Sequence, residues 1–123
     1  MNRDESISKH MATKLITFKP TDDIWDAINT IVKNKISGTP VVDEKGTLVG
    51  MLSEVDCMRV MLESTYNNQP GGVGQVKDFM SVNPTTIDIK TTLIEAAFNF
   101  AHSKYKRFPV LENGKLAGQL SRS

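Results

Sequence analysis

The sequence has little of several features that mark specialised proteins. Its 123 residues include one cysteine and one tryptophan, aromatic residues make up 7%, and the formal net charge is +1. Because Cys57 has no second cysteine to pair with, the chain forms no internal disulfide, which suits a reducing compartment. A net charge near zero provides no global field that would attract nucleic acid or a membrane surface.

Membrane, catalytic and metal-binding patterns are missing as well. No apolar run approaches the roughly 20 residues of a membrane span, and the N-terminus lacks the apolar core of a signal peptide. No Ser/His/Asp, Cys/His or paired-carboxylate arrangement suits nucleophilic or acid–base chemistry. His10 and His102 have no partners at metal-ligand spacing. We therefore expect a cytoplasmic protein that is not an enzyme and holds no metal or required cofactor.

What the sequence has instead is an internal repeat. The stretch Ser-Gly-Thr-Pro-Val-Val-Asp at residues 37–43 aligns with Lys-Arg-Phe-Pro-Val-Leu-Glu at residues 106–112, 69 positions later. The same separation pairs residues 24–28 with residues 93–97, and one gap aligns the whole chain with itself. Two copies of a unit too small to bury a core alone normally pack against each other. We expect a cleft between the copies, and the functional site in it.

Each copy has the pattern strand, helix, strand, strand, helix. In the first copy a short strand is predicted at Leu15, Ile16 and Phe18, and Ser53 begins the last helix, which extends to about Leu62. The first helix of each copy begins at a predicted capping box. The box is formed by Asp23 and Asp26 in the first copy and by Thr92 and Glu95 in the second. Its apolar stripe comprises Ile24, Ala27, Ile28, Ile31 and Val32 in the first copy, and Leu93, Ala96, Ala97, Phe100 and Ala101 in the second.

This order of elements resembles the CBS domain, and two such units in tandem resemble a Bateman module. The resemblance is carried by residues 37–43 and 50–56 in the first copy, echoed by residues 107–110 and 118–121 in the second. It implies a mixed α/β (α+β) fold with two tandem β-α-β-β-α CBS units packed as a pseudo-twofold pair. The expected divisions are residues 7–64 for the first unit, 65–75 for a linker and 76–123 for the second unit.

The second copy departs from this pattern at its C-terminus. Ser121 is present, but the sequence stops at Ser123, one residue before the aspartate that would answer Asp56. The helix expected after Ser121 is missing too. We therefore expect a small stand-alone pair, shortened at this end, with one incomplete site.

The resemblance implies an adenosine-type ligand, such as AMP, ADP, ATP or an S-adenosyl compound, bound between the copies for a regulatory purpose. It assigns Ser53 and Asp56 to one side of the site and Tyr105, Lys106 and Arg107 to the other. The Asp56 carboxylate suits the two ribose hydroxyls, and the Ser53 hydroxyl at a helix N-terminus suits a phosphate oxygen. Lys106 and Arg107 suit the phosphate because they supply cationic donors.

A second, degenerate site is expected from Ile36, Ser37 and Gly38 of the first copy with Ser121 of the second. It has no cation before its proline and no aspartate after its serine. Simpler roles remain open for both sites. Ser53 with Asp56 is also a plain helix cap, and Lys104 with its neighbours is also a solvated rim.

Three functions therefore compete: a regulatory nucleotide-sensing module, a ligand-free dimerisation or scaffold module, and single-stranded nucleic-acid binding through residues 104–107. The near-zero net charge counts against the last. We also expect a homodimer with the helices after each hairpin at its centre. Val55, Met58 and Leu62 form one stripe for the tandem, while Val60 and Met61 point elsewhere and need a partner.

Overall fold

The computed structural model of the chain describes residues 5–66 and 74–122, apart from the side chain of Tyr66. These residues form two compact units, which we call the N-terminal unit, Ile16–Pro84, and the C-terminal unit, Thr85–Ser123 together with Met1–Leu15. The described elements are α1 (Ile24–Asn34), β1 (Gly38–Val42), β2 (Leu48–Ser53), α2 (Glu54–Tyr66), β3 (Ser81–Val82), β4 (Ile87–Asp88), α3 (Leu93–Ala101), β5 (Arg107–Glu112) and β6 (Lys115–Ser121).

The N-terminal unit packs α1 and α2 against a three-stranded sheet. Its strand order is β1-β2-β3, with both pairs antiparallel. The tight turn between β1 and β2 uses Gly46 at φ +83°, a left-handed conformation that favours glycine. The buried core comprises Phe18, Ile24, Ala27, Ile28, Ile31, Val41, Leu52, Cys57, Val60 and Val76.

The C-terminal unit has its own sheet, in the order β4-β5-β6, and α3 packs on it. Strands β4 and β5 are parallel, whereas β5 and β6 form an antiparallel hairpin whose turn has Gly114 at φ +80°. The buried core comprises Ile7, Ile87, Ala96, Phe100, Phe108, Val110 and Leu120. The mixed α/β fold expected from the sequence is confirmed.

Strand pairing is the same in the two units at equivalent positions. The parallel bridge between Phe18 and Val41 corresponds to the parallel pair Ile87 and Val110. The same holds on the other edge, where the pair of Met51 with Ser81 corresponds to the bridge between Ala12 and Gln119. The internal repeat is therefore a repeat of structure as well as of sequence.

The compact units nevertheless do not coincide with the sequence repeats. Ile7, which precedes the first repeat's hairpin, is fully buried in the core of the C-terminal unit. Val76, its equivalent before the second hairpin, is fully buried in the core of the N-terminal unit. Both lie in short 3-10 turns, Ile7–Lys9 and Val76–Asp78. We call the short stretch of chain around each of these 3-10 turns the leading segment of its repeat. Each unit thus completes its core with the leading segment of the other repeat.

Three sequence predictions about strands and helix stripes were wrong in part. The strand expected at Leu15, Ile16 and Phe18 is reduced to the single bridge at Phe18, and Ile16 is 38% exposed. Val32 is 64% exposed, so it does not belong to the buried stripe of α1. In α3, Ala97 and Ala101 are likewise exposed, while Ala96 and Phe100 are buried as expected.

The orientation of α2 also differs from the prediction. Cys57 and Val60 are its buried core residues, while Val55, Met58 and Leu62 are 58–73% exposed. Burial raises the pKa of the Cys57 thiol, and the nearby Asp56 and Glu54 carboxylates raise it further, so this cysteine is a poor nucleophile.

The helix α2 continues to Tyr66, and the Asn-Gln-Pro-Gly-Gly part of the expected linker lies outside the described residues. None of the described helices is long and apolar enough to cross a membrane.

Ile7→Ala should lower the free energy of unfolding by about 2–5 kcal/mol, because it opens a cavity in the core of the C-terminal unit. Ile16→Ala is the matched control, since Ile16 is 38% exposed, and it should change stability by less than about 0.5 kcal/mol. Urea unfolding followed by circular dichroism measures both. Equal losses for the two variants would contradict the assignment of Ile7 to that core.

Gly118→Ala should also destabilise the protein, by about 1–3 kcal/mol. A Cβ at Gly118 would lie 2.6 Å from the Ala12 carbonyl oxygen, on the leading segment that pairs with β6. Gly38→Ala is the control, because a Cβ there would make an ordinary contact at 3.5 Å. Urea unfolding compares the two variants. A Gly118→Ala protein as stable as the wild type would mean that the leading segment does not pack closely against β6 at Gly118.

Candidate functional site

The junction between β2 and α2 holds the first pair of predicted site residues, Ser53 and Asp56. Strand β2 ends at Ser53 and α2 begins at Glu54, so Ser53 stands at the N-terminus of the helix. Asp56 Oδ2 accepts hydrogen bonds from the Ser53 N–H, at 2.9 Å, and from the Ser53 hydroxyl, at 3.0 Å. The Asp56 N–H donates to Ser53 Oγ at 3.2 Å, which completes a capping box.

This capping leaves part of the carboxylate available. Both bonds use Oδ2, and Oδ1 of Asp56 accepts no hydrogen bond from the described residues. Asp56 is only 8% exposed, so its remaining lone pairs lie at a nearly buried surface. Oδ1 itself reaches solvent, so a polar ligand can donate hydrogen bonds to it.

Two residues of the predicted degenerate site lie beside this junction. The Glu54 N–H donates to the Ser37 carbonyl oxygen at 3.0 Å, and Gly38 is the β1 partner of Ser53. A Cβ at Gly38 would lie 3.8 Å from the Ser53 Cα atom, so the backbones are close. Ile36 is partly buried and packs against the core of the same unit. The structure thus groups Ser53 and Asp56 with the segment that precedes Pro40.

The C-terminal unit shows the equivalent grouping around Arg107. Arg107 begins β5 and pairs with Ser121 at the end of β6. The Arg122 N–H donates to the Lys106 carbonyl oxygen at 2.9 Å. Lys106, Ser121 and Arg122 are exposed, and Arg107 is partly buried. We call Lys106, Arg107 and Arg122 the basic cluster.

Arg122 is a candidate that the sequence reasoning missed. The hairpin register contained the signal, because the strand pairing that places Arg107 opposite Ser121 also brings Arg122 to Lys106. The degenerate site was expected to lack a cation before its proline. In the structure, however, its Ser121 is followed along the chain by Arg122 and pairs across the hairpin with Arg107.

Tyr105 stands at the edge of the basic cluster. It is 43% exposed, its ring lies 6.1 Å from the Phe108 ring, and the Lys104 ammonium lies 5.9 Å from the Tyr105 ring centroid. Such an exposed, anchored ring can stack on a planar base. Phe108 is buried, so the Tyr105 ring lies beside a core residue of the C-terminal unit.

Thr39 is a second residue that the sequence reasoning did not single out. It is fully buried next to Gly38, and its hydroxyl has no hydrogen-bond partner among the described residues. The equivalent position in the other repeat is Phe108, a purely apolar core residue. A buried hydroxyl without a partner costs free energy, and at 0% exposure it is out of reach of a molecule bound at the surface.

The capping box of α3 provides an internal comparison. Glu95 Oε1 accepts from the Thr92 N–H and the Thr92 hydroxyl, both at 3.0 Å, and these bonds lower the pKa of Glu95. Glu95 is exposed, whereas Asp56 is nearly buried. The two helix caps therefore have the same geometry, and only the cap at Ser53 combines it with a buried carboxylate.

Neither histidine belongs to a metal site in the part of the chain that the structure describes, which contains no group of three or more His, Cys, Asp or Glu residues able to hold an ion. His10 Nε2 lies 2.8 Å from Glu5 Oε2, and this interaction lowers the pKa of Glu5. His102 stacks on Phe98, with ring centroids 4.0 Å apart.

Comparison with known proteins shows the same family in both halves of the chain. The sequence pattern of the CBS domain matches residues 5–63 and 76–123. The chain is 30% identical over 129 residues to "CBS domain-containing protein CBSX1, chloroplastic" of Arabidopsis thaliana, which covers 85% of this chain and 54% of that protein. It is 32% identical over 108 residues to inosine-5'-monophosphate dehydrogenase of Aquifex aeolicus, covering 86% of this chain and 21% of the dehydrogenase.

Solved structures give the same result. The crystal structure of CBSX2 in complex with AMP matches with a TM-score of 0.80 and 31% identity, covering 96% of this chain and 90% of that chain. CBSX2 is a CBS-pair protein from Arabidopsis thaliana. This chain spans about half the length of CBSX1, at 54%. Because the family pattern matches both repeats and the fold agrees, this chain belongs to the CBS domain family, as a pair of CBS units.

Proposed function

We propose that this chain is a regulatory module that binds an adenosine-type nucleotide, with AMP as the first candidate. The observation that carries the proposal is the likeness to CBSX2, whose crystal structure is a complex with AMP, at 31% identity over 96% of this chain. No required cofactor is proposed. The nucleotide acts as a signal, and its binding changes how the module acts on a partner protein.

The Asp56 carboxylate is the proposed ribose acceptor. Its Oδ1 accepts no hydrogen bond from the described residues, while Oδ2 is held by Ser53, so the group is oriented before a ligand arrives. A carboxylate oxygen accepts strong hydrogen bonds from vicinal hydroxyls. Orientation by the helix cap reduces the entropy lost on binding.

The basic cluster is the proposed contact for phosphate, with Lys106 and Arg107 as the main donors and Arg122 as an added one. Guanidinium groups match the geometry of phosphate oxygens, and ammonium groups add a compact charge. Tyr105 is the proposed stacking surface for the base. Ile36, Ser37, Gly38 and Ser121 remain the proposed second site.

The alternative is a ligand-free scaffold, and one observation favours keeping it. The Ser53–Asp56 box is satisfied by itself as a helix cap, as is the Thr92–Glu95 box of α3. The relatives include CBSX1 and a dehydrogenase, so the family pattern occurs both in proteins named as enzymes and in proteins that are not.

We propose that this chain has no catalytic activity of its own. The cytoplasmic location stays a prediction.

We further propose that the module is a homodimer. The outer face of α2 exposes Val55, Met58, Met61 and Leu62, which are 39–73% exposed. Apolar side chains clustered on one helix face mark a protein interaction surface.

Asp56→Ala should weaken AMP binding about 5- to 150-fold, because ribose hydroxyls would lose an acceptor at a nearly buried position, a loss of about 1–3 kcal/mol. Isothermal titration calorimetry measures the dissociation constant. Glu95→Ala is the matched control, since it removes the equivalent carboxylate from the cap of α3. Each variant should lose about 0.5–2 kcal/mol of stability. Unchanged affinity in Asp56→Ala would leave Asp56 as a helix cap only.

Arg107→Ala should weaken ligands according to their phosphate charge, with adenosine hardly affected and AMP and ATP losing most. The reason is that the guanidinium contacts phosphate rather than the nucleoside. Lys33→Ala, an exposed cation in the last turn of α1, is the control and should leave all three affinities unchanged. Equal weakening of adenosine and ATP would overturn the assignment of the phosphate to Arg107.

A further inference from the structure

Each leading segment carries a methionine whose sulfur lies against a glycine of a strand. The Met80 sulfur is so close to Gly50 of β2 that a Cβ added there would lie 2.7 Å from it. The Met11 sulfur has the same relation to Gly118 of β6, where a Cβ would lie 3.0 Å from it. Met11 and Met80 are 69 positions apart and are therefore equivalent in the repeat. Each thioether thus occupies the space that a side chain on the strand would otherwise fill.

The two methionines also join the packing and pairing of the leading segments. Both are partly buried, and Met80 packs against the core of the N-terminal unit while Met11 packs against that of the C-terminal unit. Directly after Met11, the Ala12 N–H donates to the Gln119 carbonyl oxygen at 2.8 Å. The Gln119 N–H donates back to the Ala12 carbonyl oxygen at 2.9 Å. A change at the sulfur therefore acts on core packing and on strand pairing at once.

A thioether in such a contact is open to a mild oxidant. Hydrogen peroxide transfers one oxygen atom to the sulfur of methionine. The sulfur supplies the electron pair of the new S–O bond, the O–O bond of the peroxide breaks, and the second oxygen leaves as water. The sulfur is thereby oxidised and the peroxide reduced. The product, methionine sulfoxide, is a polar side chain with one more heavy atom.

We propose that Met11 and Met80 are oxidation sites, at which a peroxide forms the sulfoxide and releases the leading segment from its unit. A Cβ on the facing glycine would already lie within 3.0 Å of the sulfur, so an oxygen on that side has no room. The sulfoxide also brings a polar group to a side chain that packs against an apolar core, which costs free energy. A methionine sulfoxide reductase restores the thioether, so the release is reversible.

The other sulfur atoms of the described residues lie elsewhere. Met58 and Met61 of α2 are 58% and 39% exposed and belong to no leading segment, so peroxide reaches them without loosening one. Met51 lies in β2, and Cys57 is buried in the core of the N-terminal unit. The proposal does not depend on nucleotide binding, because each of the two sulfurs lies in the same unit as its glycine.

Hydrogen–deuterium exchange before and after peroxide treatment tests the release. Once mass spectrometry shows sulfoxide at Met11 and Met80, the amides of Ala12, Gln119 and Val76 should exchange at least about tenfold faster, because their hydrogen bonds open with the leading segments. Treatment with methionine sulfoxide reductase should restore the slow exchange.

The double variant Met11→Leu, Met80→Leu keeps both positions apolar and removes both sulfurs, so peroxide should leave its exchange rates unchanged. The double variant Met58→Leu, Met61→Leu is the matched control, and it should show the full acceleration. Both double variants retain the other sulfur atoms, so an effect of oxidation at those atoms would appear in both.

Three results would overturn the proposal. One is unchanged exchange in wild-type protein that carries sulfoxide at Met11 and Met80. Another is equal acceleration by peroxide in the two double variants. The third is a wild-type protein in which Met11 and Met80 stay reduced while Met58 and Met61 are fully oxidised.

Discussion

The structure depends on one constraint, the burial of each repeat's leading segment in the unit built around the other repeat. Ile7 and Val76 are fully buried, and each belongs to a core that is otherwise formed by residues far along the chain. The backbone of each segment also closes on a glycine of the opposite hairpin, where a Cβ at Gly50 or Gly118 would lie within 2.8 Å of a carbonyl oxygen. Neither repeat can therefore complete its core from its own residues.

The sequence predicted the parts of the fold that depend on local pattern. The N-cap residues Asp23 and Thr92, the α1 stripe from Ile24 to Ile31 and the glycine turns are all local, and the structure confirms them. Of the two predicted capping boxes, the described residues complete the one at Thr92 and Glu95, whereas at Asp23 and Asp26 only Asp23 acts as a cap. The exchange of Ile7 and Val76 could not be predicted, because equal spacing in two repeats does not say which core receives which segment. For the same reason the inner face of α2 was mistaken, since Val55 and Val60 are equally apolar and only packing distinguishes them.

The candidate site was predictable as a set of residues but not as a geometry. Ser53 and Asp56 were found from their spacing, and the hydrogen bonds between them follow from helix capping. Arg122 and Thr39 were missed, because one depends on hairpin register and the other on burial of a hydroxyl. The same carboxylate that caps α2 is the proposed ribose acceptor, so structural stability and recognition depend on one side chain.

The most direct test of the proposed site is an amide NMR titration of the ¹⁵N-labelled protein with AMP. The Ser53 N–H donates to Asp56 Oδ2, so a ligand bound by that carboxylate must shift the Ser53 amide. The account predicts saturable shifts at Ser53, Asp56 and Arg107 that fit one dissociation constant, while the Thr92 and Glu95 amides of the other cap stay in place. Saturation with unmoved Ser53 and Asp56 amides, or no saturable shift at all, would contradict it.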